Sequence, residues 1–268
     1  MSIIFIVFVL FGYVISFAFN PGLFFVIMII SIIISLSYLL ITYYNSGTIA
    51  VKGVGAKKAS KMHYKEYHDL VEGLTIASSL PMPELYIMHS PQINAFASGR
   101  NPENAVICVT DGALQKLEKK ELEGVLAHEL SHIANYDIRF MTLVTVMVGM
   151  ISIASEIFLH SLWFGSNDNK NWFFIVLGII MAILAPISVQ LVQMAISRRR
   201  EFNADATAVK FTRYPNGLIG ALKKIQKDNM PEKKINKVLA PLFFSNPFRT
   251  LGNTHPPLEK RIEVLEKM

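Results

Sequence analysis

Apolar residues are concentrated in four long stretches of the chain: residues 3–19, 22–44, 141–164 and 172–196. The first two lie in one run, residues 2–44, that contains no charged side chain. A single helix of that length would extend roughly 64 Å, about twice the ~30 Å hydrocarbon core of a bilayer. Because Asn20, Pro21 and Gly22 favour a turn, we expect this run to fold back on itself. The pattern therefore predicts four membrane-spanning helices, arranged as two hairpins.

A secretory signal peptide is the alternative interpretation of residues 3–19. No Lys or Arg precedes this apolar stretch, and no small-x-small cleavage site lies near its end. A second apolar stretch follows at once. These features favour the membrane hairpin.

The distribution of Lys and Arg predicts the orientation of the spans. Residues 45–137 carry nine of these side chains, residues 197–268 carry fifteen, and the loop 165–171 carries one. The positive-inside rule therefore places both polar segments and both termini in the cytoplasm, and the loop outside. The net charge of +6 is accordingly interpreted as attraction to a membrane surface, and a nucleic-acid partner is not expected.

The polar segments have the patterns of a small α+β domain. Helical spacing covers residues 57–79, 111–117, 120–135, 197–210, 218–227 and 257–267. Strands are predicted at residues 85–89 and 105–110, with a candidate edge strand at residues 93–97. The one cysteine, Cys108, lies in the second strand, so no disulfide can form within the chain. The predicted fold is a mainly α membrane protein with four transmembrane helices and a cytoplasmic α+β domain that contains a small sheet.

The predicted helix 120–135 contains the pattern H-E-x-x-H, formed by His128, Glu129 and His132. Four residues make about one helical turn, so both imidazoles lie on one face and can bind one metal ion. Neutral imidazole suits zinc, which in catalytic sites keeps a position open for water. Glu129 lies beside that face and could accept a proton from the attacking water. A packing helix with two incidental histidines is the plainer alternative.

Glu201 and Asp205 lie one turn apart on the predicted helix 197–210. One carboxylate could bind the same metal ion while the other accepts the far N–H of a ligating histidine. Taken alone, the pair equally fits an ordinary surface helix. However, His132 lies nine residues before the third apolar stretch and Glu201 five residues after the fourth. Both therefore fall within about 15 Å of the same membrane face if the helices continue.

Four segments of the chain resemble the motifs of the HtpX membrane metalloproteases. They are residues 94–100 (NAFASGR), 121–137 with its H-E-L-S-H, 198–205 (RRREFNAD) and 254–261 (THPPLEKR). The resemblance covers essentially the whole chain, with two spans before the catalytic domain and two within it. HtpX proteins, and more distantly the type I CAAX prenyl proteases and the mitochondrial protease Oma, are gluzincins, in which H-E-x-x-H and a downstream Glu bind zinc.

The resemblance implies a gluzincin site with one zinc ion per chain. His128, His132 and Glu201 would be the ligands, Glu129 the general base, and Asp205 the residue that orients a ligating histidine. It also implies that the substrates are membrane proteins cleaved during envelope quality control and stress, often beside a larger ATP-dependent membrane protease.

Four parts of the chain follow from the spans and the motifs together. They are a transmembrane hairpin at residues 1–44, the first part of the catalytic domain with the H-E-x-x-H helix at 45–137, a second hairpin at 138–196, and the second part of the catalytic domain with the Glu ligand at 197–268.

Two further features are candidates for the site. The edge strand is expected to pair with an extended substrate through the main chain of Asn94, Ala95, Phe96 and Ala97. The alternative for these residues is a plain hairpin strand. His255 precedes two prolines and fits either a cap or turn role or a donor to the developing oxyanion, while Arg261 is a weaker candidate than His255.

The expected function is a zinc-dependent endopeptidase of the cytoplasmic membrane that hydrolyses membrane proteins or peptides, with the lipid bilayer as its surroundings. One alternative is a protease that processes a specific tail peptide, as a prenyl protease does. Another is an inactive membrane scaffold that keeps the metal site for folding. Glu129 beside both histidines argues against the scaffold, because a purely structural metal site needs no general base.

Overall fold

The computed structural model describes residues 24–141, 180, 198–228, 243–244 and 256–268. The chain divides into two units. One comprises Met1–Tyr44 with Val146–Val192, and the other comprises Asn45–Thr145 with Gln193–Met268. The catalytic motifs predicted from the sequence all belong to the second unit.

Helix α1, Phe24–Tyr44, is the main described element of the first unit and lies within the second predicted span. The other three predicted spans, apart from Met141 and Ile180, lie outside the described residues. Within the part of the chain that the structure describes, no helix has the length and apolarity needed to cross a membrane. The arrangement of four spans stays a prediction.

The second unit contains the remaining described helices and strands. They are α2 (Ser46–Gly53), β1 (Lys57–Lys58), α3 (Lys65–Ser78), β2 (Glu84–Met88), β3 (Ala95–Gly99), a short 3-10 helix (Pro102–Asn104), β4 (Ala105–Thr110), α4 (Asp111–Lys116), α5 (Lys119–Ala134), α6 (Arg198–Thr212), α7 (Pro215–Asp228) and α8 (Leu258–Leu265). This set confirms a small sheet among predominantly helical elements.

The sheet has the order β1-β2-β4-β3. Strands β2 and β4 are parallel, whereas β1 pairs antiparallel with β2, and β3 pairs antiparallel with β4. Both longer predicted strands are present, and the candidate edge strand is found at the edge but begins at Ala95. The helix predicted from Lys57 begins instead at Lys65, because Lys57 and Lys58 pair with the outer side of β2.

Alternation along the strands divides the apolar side chains between two clusters. Ala95, Ala97 and Ile107 lie in the cluster that includes α5, whereas Phe96 and Val106 lie in the cluster that includes α2. Because successive strand residues point to opposite faces, the two clusters cover the two faces of the sheet. The helix that carries the H-E-x-x-H pattern thus lies against one face of the sheet.

Helix α5 is the central helix of this unit and contacts α3, α6, α7 and the strands β3 and β4. It begins with a capping box, in which the Glu118 and Glu121 side chains each accept a hydrogen bond from the other residue's main chain. Its approach to α7 requires glycine, because a Cβ on Gly124 would lie 2.6 Å from the main-chain nitrogen of Leu218. Close packing on several sides explains why the middle of α5 is almost entirely buried.

Candidate metal centre

The two histidines of the H-E-x-x-H pattern face each other across one turn of α5. Nε2 of His128 and Nε2 of His132 are 3.1 Å apart. The two rings are nearly perpendicular, with an angle of 89° and 4.7 Å between their centroids. The spacing predicted from the sequence therefore brings both ring nitrogens to one point.

Glu201 approaches the same point from α6. Its Oε2 lies 3.7 Å from Nε2 of His128, and its Oε1 lies 3.7 Å from Nε2 of His132. Each of the three residues offers one ligand atom, and these atoms all lie within 4.8 Å of one another. The close contact between α5 and α6 therefore builds a group of two imidazoles and one carboxylate, separated in sequence by about 70 residues.

The far nitrogen of each imidazole contacts a carboxylate. Nδ1 of His128 lies 2.9 Å from Oδ1 of Asp205, and Nδ1 of His132 lies 3.0 Å from Oδ2 of Asp137. An ionised carboxylate can only accept, so each Nδ1 must donate its proton. These hydrogen bonds place the proton of each neutral ring on Nδ1 and leave a lone pair on Nε2. The Nε2 lone pairs of His128 and His132 then point at each other.

Two lone pairs that face each other repel, and a cation between the two rings would remove that repulsion. Burial lowers the pKa of His128 to about 4, so that this ring stays neutral. Burial also opposes protonation of His132, but the hydrogen bond to Asp137 and the nearby carboxylate of Glu201 raise its pKa to about 9. A proton on His132 would then lie between the two nitrogens. A metal ion would replace that proton on binding.

The donor set fits zinc. A tetrahedral zinc ion with ligands at about 2.0–2.1 Å holds them roughly 3.3 Å from one another. The two ring nitrogens are 3.1 Å apart, close to that value, and a different carboxylate oxygen of Glu201 lies 3.7 Å from each of them. Two imidazoles and one carboxylate are also the ligands of a catalytic zinc site that keeps its fourth position for water.

Glu129 lies next to this group and is 2% exposed. Its carboxylate accepts a hydrogen bond from the main chain of Ala97 on β3, whereas its Oε1 has no hydrogen-bond partner among the described residues. Burial raises the pKa of Glu129 to about 7, and the positive charge of His132 opposes that rise. The carboxylate is therefore placed to exchange a proton with a molecule beside the metal ligands.

Arg261 of α8 is fully buried and holds Asp205. Its Nε donates to Oδ2 of Asp205 at 2.9 Å, and its Nη2 donates to Oδ1 at 2.6 Å. Burial alone would raise the pKa of Asp205, but the guanidinium of Arg261 and the hydrogen bond from His128 hold it below its ordinary value. Asp205 thus stays ionised and can accept the N–H of His128.

From the sequence, Arg261 is a weaker candidate than His255, and Asp137 is not a candidate. The structure places Arg261 in the network and Asp137 on His132, whereas His255 lies outside the described residues. Asp137 follows Tyr136, whose φ of 58° lies in the left-handed region just beyond the end of α5, and this backbone conformation is seen only in the structure. No local signal marks Arg261, because its partner lies 56 residues away.

The residues predicted to bind substrate lie at the outer edge of the sheet beside Glu129. Asn94 is 1% exposed, and its main chain is bound to the Thr110 hydroxyl and main chain. The carbonyl of Ala95 accepts a hydrogen bond of 2.8 Å from the main-chain N–H of Phe244. Only part of this edge is therefore open to another peptide in the arrangement seen here.

Comparison with known proteins identifies the family of the chain. The family model for peptidase family M48 matches residues 62–268. A protease HtpX homolog of Caldanaerobacter subterraneus subsp. tengcongensis is 40% identical over 268 residues, which cover 96% of this chain and 89% of that protein. A protease HtpX homolog of Dictyoglomus thermophilum is 42% identical over 84% of this chain and 77% of its own length.

Among solved structures, the crystal structure of S. mikatae Ste24p is similar, with a TM-score of 0.56 and 17% sequence identity. The match covers 96% of this chain and 61% of Ste24p. At this identity the likeness concerns the fold alone. The sequence relatives and the family match over most of the chain show that the protein belongs to peptidase family M48 and is a metallopeptidase.

Proposed function

We propose that this protein is a zinc-dependent endopeptidase of the cytoplasmic membrane. The observation that carries the proposal is the buried group of His128, His132 and Glu201 with the carboxylate of Glu129 beside it. These three residues would hold the metal through two ring nitrogens and one carboxylate oxygen. Zinc bound there supplies a Lewis acid that makes water more acidic and polarises the scissile carbonyl.

The protein's own groups would move the proton during hydrolysis. Glu129 Oε1 takes a proton from the attacking water and then delivers it to the departing amine. The main chain of Ala97 donates a hydrogen bond to the Glu129 carboxylate and so fixes its orientation. Asp205 and Asp137 keep the two imidazoles in the tautomer that binds a metal ion.

We also propose that the substrates are membrane proteins or peptides at the cytoplasmic face. The uncharged run of residues 2–44 and the concentration of Lys and Arg in residues 45–137 and 197–268 support this location. Exposed apolar side chains on α1 add to it, since Phe25, Ile29 and Ile33 are 78%, 56% and 57% exposed. A role in membrane protein quality control under stress, beside an ATP-dependent membrane protease, is a proposal that rests on the resemblance to HtpX proteins.

Substitution of Glu129 by Gln tests the function directly. We expect purified wild type in detergent to cleave casein and to contain one zinc ion per chain. Glu129→Gln should retain the zinc and lose about 10²–10⁴-fold in rate, because it removes the proton acceptor and leaves the ligands intact. Cleavage rate and zinc content are measured on the same preparations.

Glu123→Gln is the matched control, because Glu123 lies on the same helix and its carboxylate pairs with Lys120, away from the metal ligands. This variant should cleave casein like the wild type. A Glu129→Gln protein that is as active as the wild type would refute the assignment of Glu129. Wild type that binds zinc but cleaves nothing would favour the inactive scaffold.

A further inference from the structure

Two consecutive phenylalanines, Phe243 and Phe244, lie at the open edge of the sheet like a short added strand. We call them the Phe243–Phe244 segment. The main-chain N–H of Phe244 donates to the carbonyl of Ala95 on β3. In an antiparallel pair, the N–H and C=O of one residue point to the same side. Because Ala95 directs its carbonyl away from β4, Ala95 and Ala97 present their main-chain groups at this outer edge.

The two rings point to opposite faces of the sheet, as neighbouring side chains of a strand do. The Phe243 ring packs on Phe96, with 5.1 Å between their centroids, in the cluster that includes α2. The Phe244 ring lies in the cluster that includes α5, and it is 2% exposed. The segment therefore makes both the main-chain and the side-chain contacts of a peptide bound in extended form.

The Phe244 ring lies directly against the metal centre. Its centroid is 4.8 Å from that of His128, and the guanidinium carbon of Arg261 lies 4.7 Å from it. Further along the same edge, two residues from Ala95, the main chain of Ala97 binds Glu129. Two strand residues span about 6.6–6.8 Å. A substrate residue in the place of Phe244 would thus lie about two positions from the peptide bond that is hydrolysed beside Glu129.

We propose that the Phe243–Phe244 segment is a pseudosubstrate, a part of the chain that occupies the substrate site and must leave before a peptide binds. The incoming peptide replaces the hydrogen bond to Ala95 with its own. The space left by the Phe244 ring accepts a large apolar or aromatic substrate side chain. The proposal rests on the protease function proposed above.

This exchange has a chemical consequence for the choice of substrate. A polar or small side chain in the place of Phe244 would leave apolar surface around His128 uncovered, so such a peptide competes poorly with the segment. A peptide with an aromatic or large aliphatic side chain recovers the contacts that the segment gives up. Extended apolar segments of unfolded proteins fit this requirement.

Kinetics of Phe244→Ala and Phe244→Leu test the proposal on the full-length protein in detergent. If the segment competes with substrate, only molecules whose segment has left the site can bind substrate. The apparent KM is then the intrinsic KM divided by the fraction of such molecules. Phe244→Ala should therefore lower the KM for a fluorogenic apolar peptide by about 5–10-fold, with kcat within about twofold. Phe244→Leu keeps a large apolar side chain and should lower the KM by less than Phe244→Ala does. Zinc content and thermal unfolding are measured for each protein.

A peptide with the sequence of residues 239–247 supplies a second measurement. It should inhibit the Phe244→Ala protein competitively, and the same peptide with Ala in the place of Phe244 should inhibit at least tenfold less. A rise in KM, or loss of kcat together with zinc, would show that Phe244 is a fixed wall of the site and overturn the proposal. Failure of the peptide to inhibit would also overturn it. An inactive wild type, in contrast, would contradict the protease function itself.

Discussion

Individual residues of the metal centre depend on partners that come from other elements. His128 is oriented by Asp205, and Asp205 is in turn held by two hydrogen bonds from Arg261. All three side chains are buried, with 0% exposure. A buried ion pair tolerates the loss of one partner poorly, because the remaining charge has no compensation. Arg261 therefore positions Asp205, and through it the candidate metal ligand His128.

Replacement of Arg261 by Met should destabilise the fold by about 3–5 kcal/mol, since it leaves the carboxylate of Asp205 buried without its cation. The measurement is urea unfolding of zinc-free protein at pH 7. Arg213→Met is the control, because Arg213 is exposed, and we expect no comparable change in the free energy of unfolding.

The loss of unfolding free energy in Arg261→Met should become smaller as the pH falls. In the wild type the pKa of Asp205 lies below its ordinary value of 3.8, so its stabilising contribution is present at neutral pH and is lost only as the pH falls below that value. In Arg261→Met, burial raises the pKa of Asp205. As the pH falls, Asp205 is protonated, and the variant no longer has a buried charge without a partner. The difference between the two proteins should therefore narrow toward pH 4, and a difference that widens would contradict this account.

At the scale of elements, the site depends on how closely α5 approaches its neighbours. Gly124 of α5 faces Leu218, and Gly217, at the start of α7, faces Lys120 of α5, so each helix presents a glycine to the backbone of the other. A Cβ on Gly217 would lie 2.3 Å from the carbonyl oxygen of Lys120. Backbone atoms cannot rotate away as a side chain can, and a larger residue must move a helix. The position of α5, and of the ligands on it, is thus set by these contacts.

Substitution of Gly124 by Ala should destabilise the protein. The added Cβ would lie 2.6 Å from the main-chain nitrogen of Leu218, and overpacking of this kind costs about 1–3 kcal/mol. Higher helix propensity of alanine offsets only about 1 kcal/mol of that cost. Thermal unfolding of the purified variant measures the difference.

Gly73→Ala is the matched control for this experiment. Gly73 also lies within a helix, α3, but a Cβ there meets no atom within 4 Å. The same change should raise stability by up to about 1 kcal/mol through helix propensity alone. Equal changes in stability for Gly124→Ala and Gly73→Ala would show that α5 and α7 have room for a Cβ on Gly124.

Local patterns predicted most elements of the second unit, and the misses have physical causes. Strands β2 and β4 are predicted correctly because each contains a short run of apolar residues, LYIM in β2 and AVICV in β4. Strand β1 is not predicted, since its two lysines have no apolar pattern and their strand pairing with Tyr86 and Ile87 is a tertiary contact. The helix assigned to this stretch therefore begins eight residues later, at Lys65.

For the whole molecule, the predicted topology is an inference from charge and hydropathy. Positive side chains are dense in residues 45–137 and 197–268 and sparse in the loop 165–171. That loop and the spans around it lie outside the described residues. The unit that contains α1 is distinct from the unit that contains the candidate metal centre, and the two apolar hairpins stay a prediction.

A cysteine in place of Ser166 tests this topology. In intact cells a membrane-impermeant maleimide should label Ser166→Cys from outside, because the loop is predicted to face away from the cytoplasm. Ser60→Cys, at an exposed position of the second unit, should react only after the membrane is permeabilised. The natural Cys108 is 1% exposed and should contribute little background. Labelling of Ser60→Cys in intact cells would contradict the predicted orientation.

Features that depend on neighbours along the chain can be predicted from the sequence. Two histidines four residues apart on a helix must share a face, so the paired ligands on α5 follow from spacing alone. Long apolar runs and the positions of Lys and Arg likewise predict spans and their orientation without any tertiary contact. The resemblance to HtpX proteins added the assignment of Glu201.

The distant groups that complete the candidate site are brought together by tertiary packing. Glu201 reaches the histidines because α6 packs on α5, and Arg261 reaches Asp205 because α8 packs nearby. Phe244 covers His128 through a main-chain hydrogen bond to β3, which no side-chain pattern predicts. Contacts of this kind join residues that are between 56 and 149 positions apart. They depend on how the helices and the sheet pack, and local periodicity carries no information about that packing.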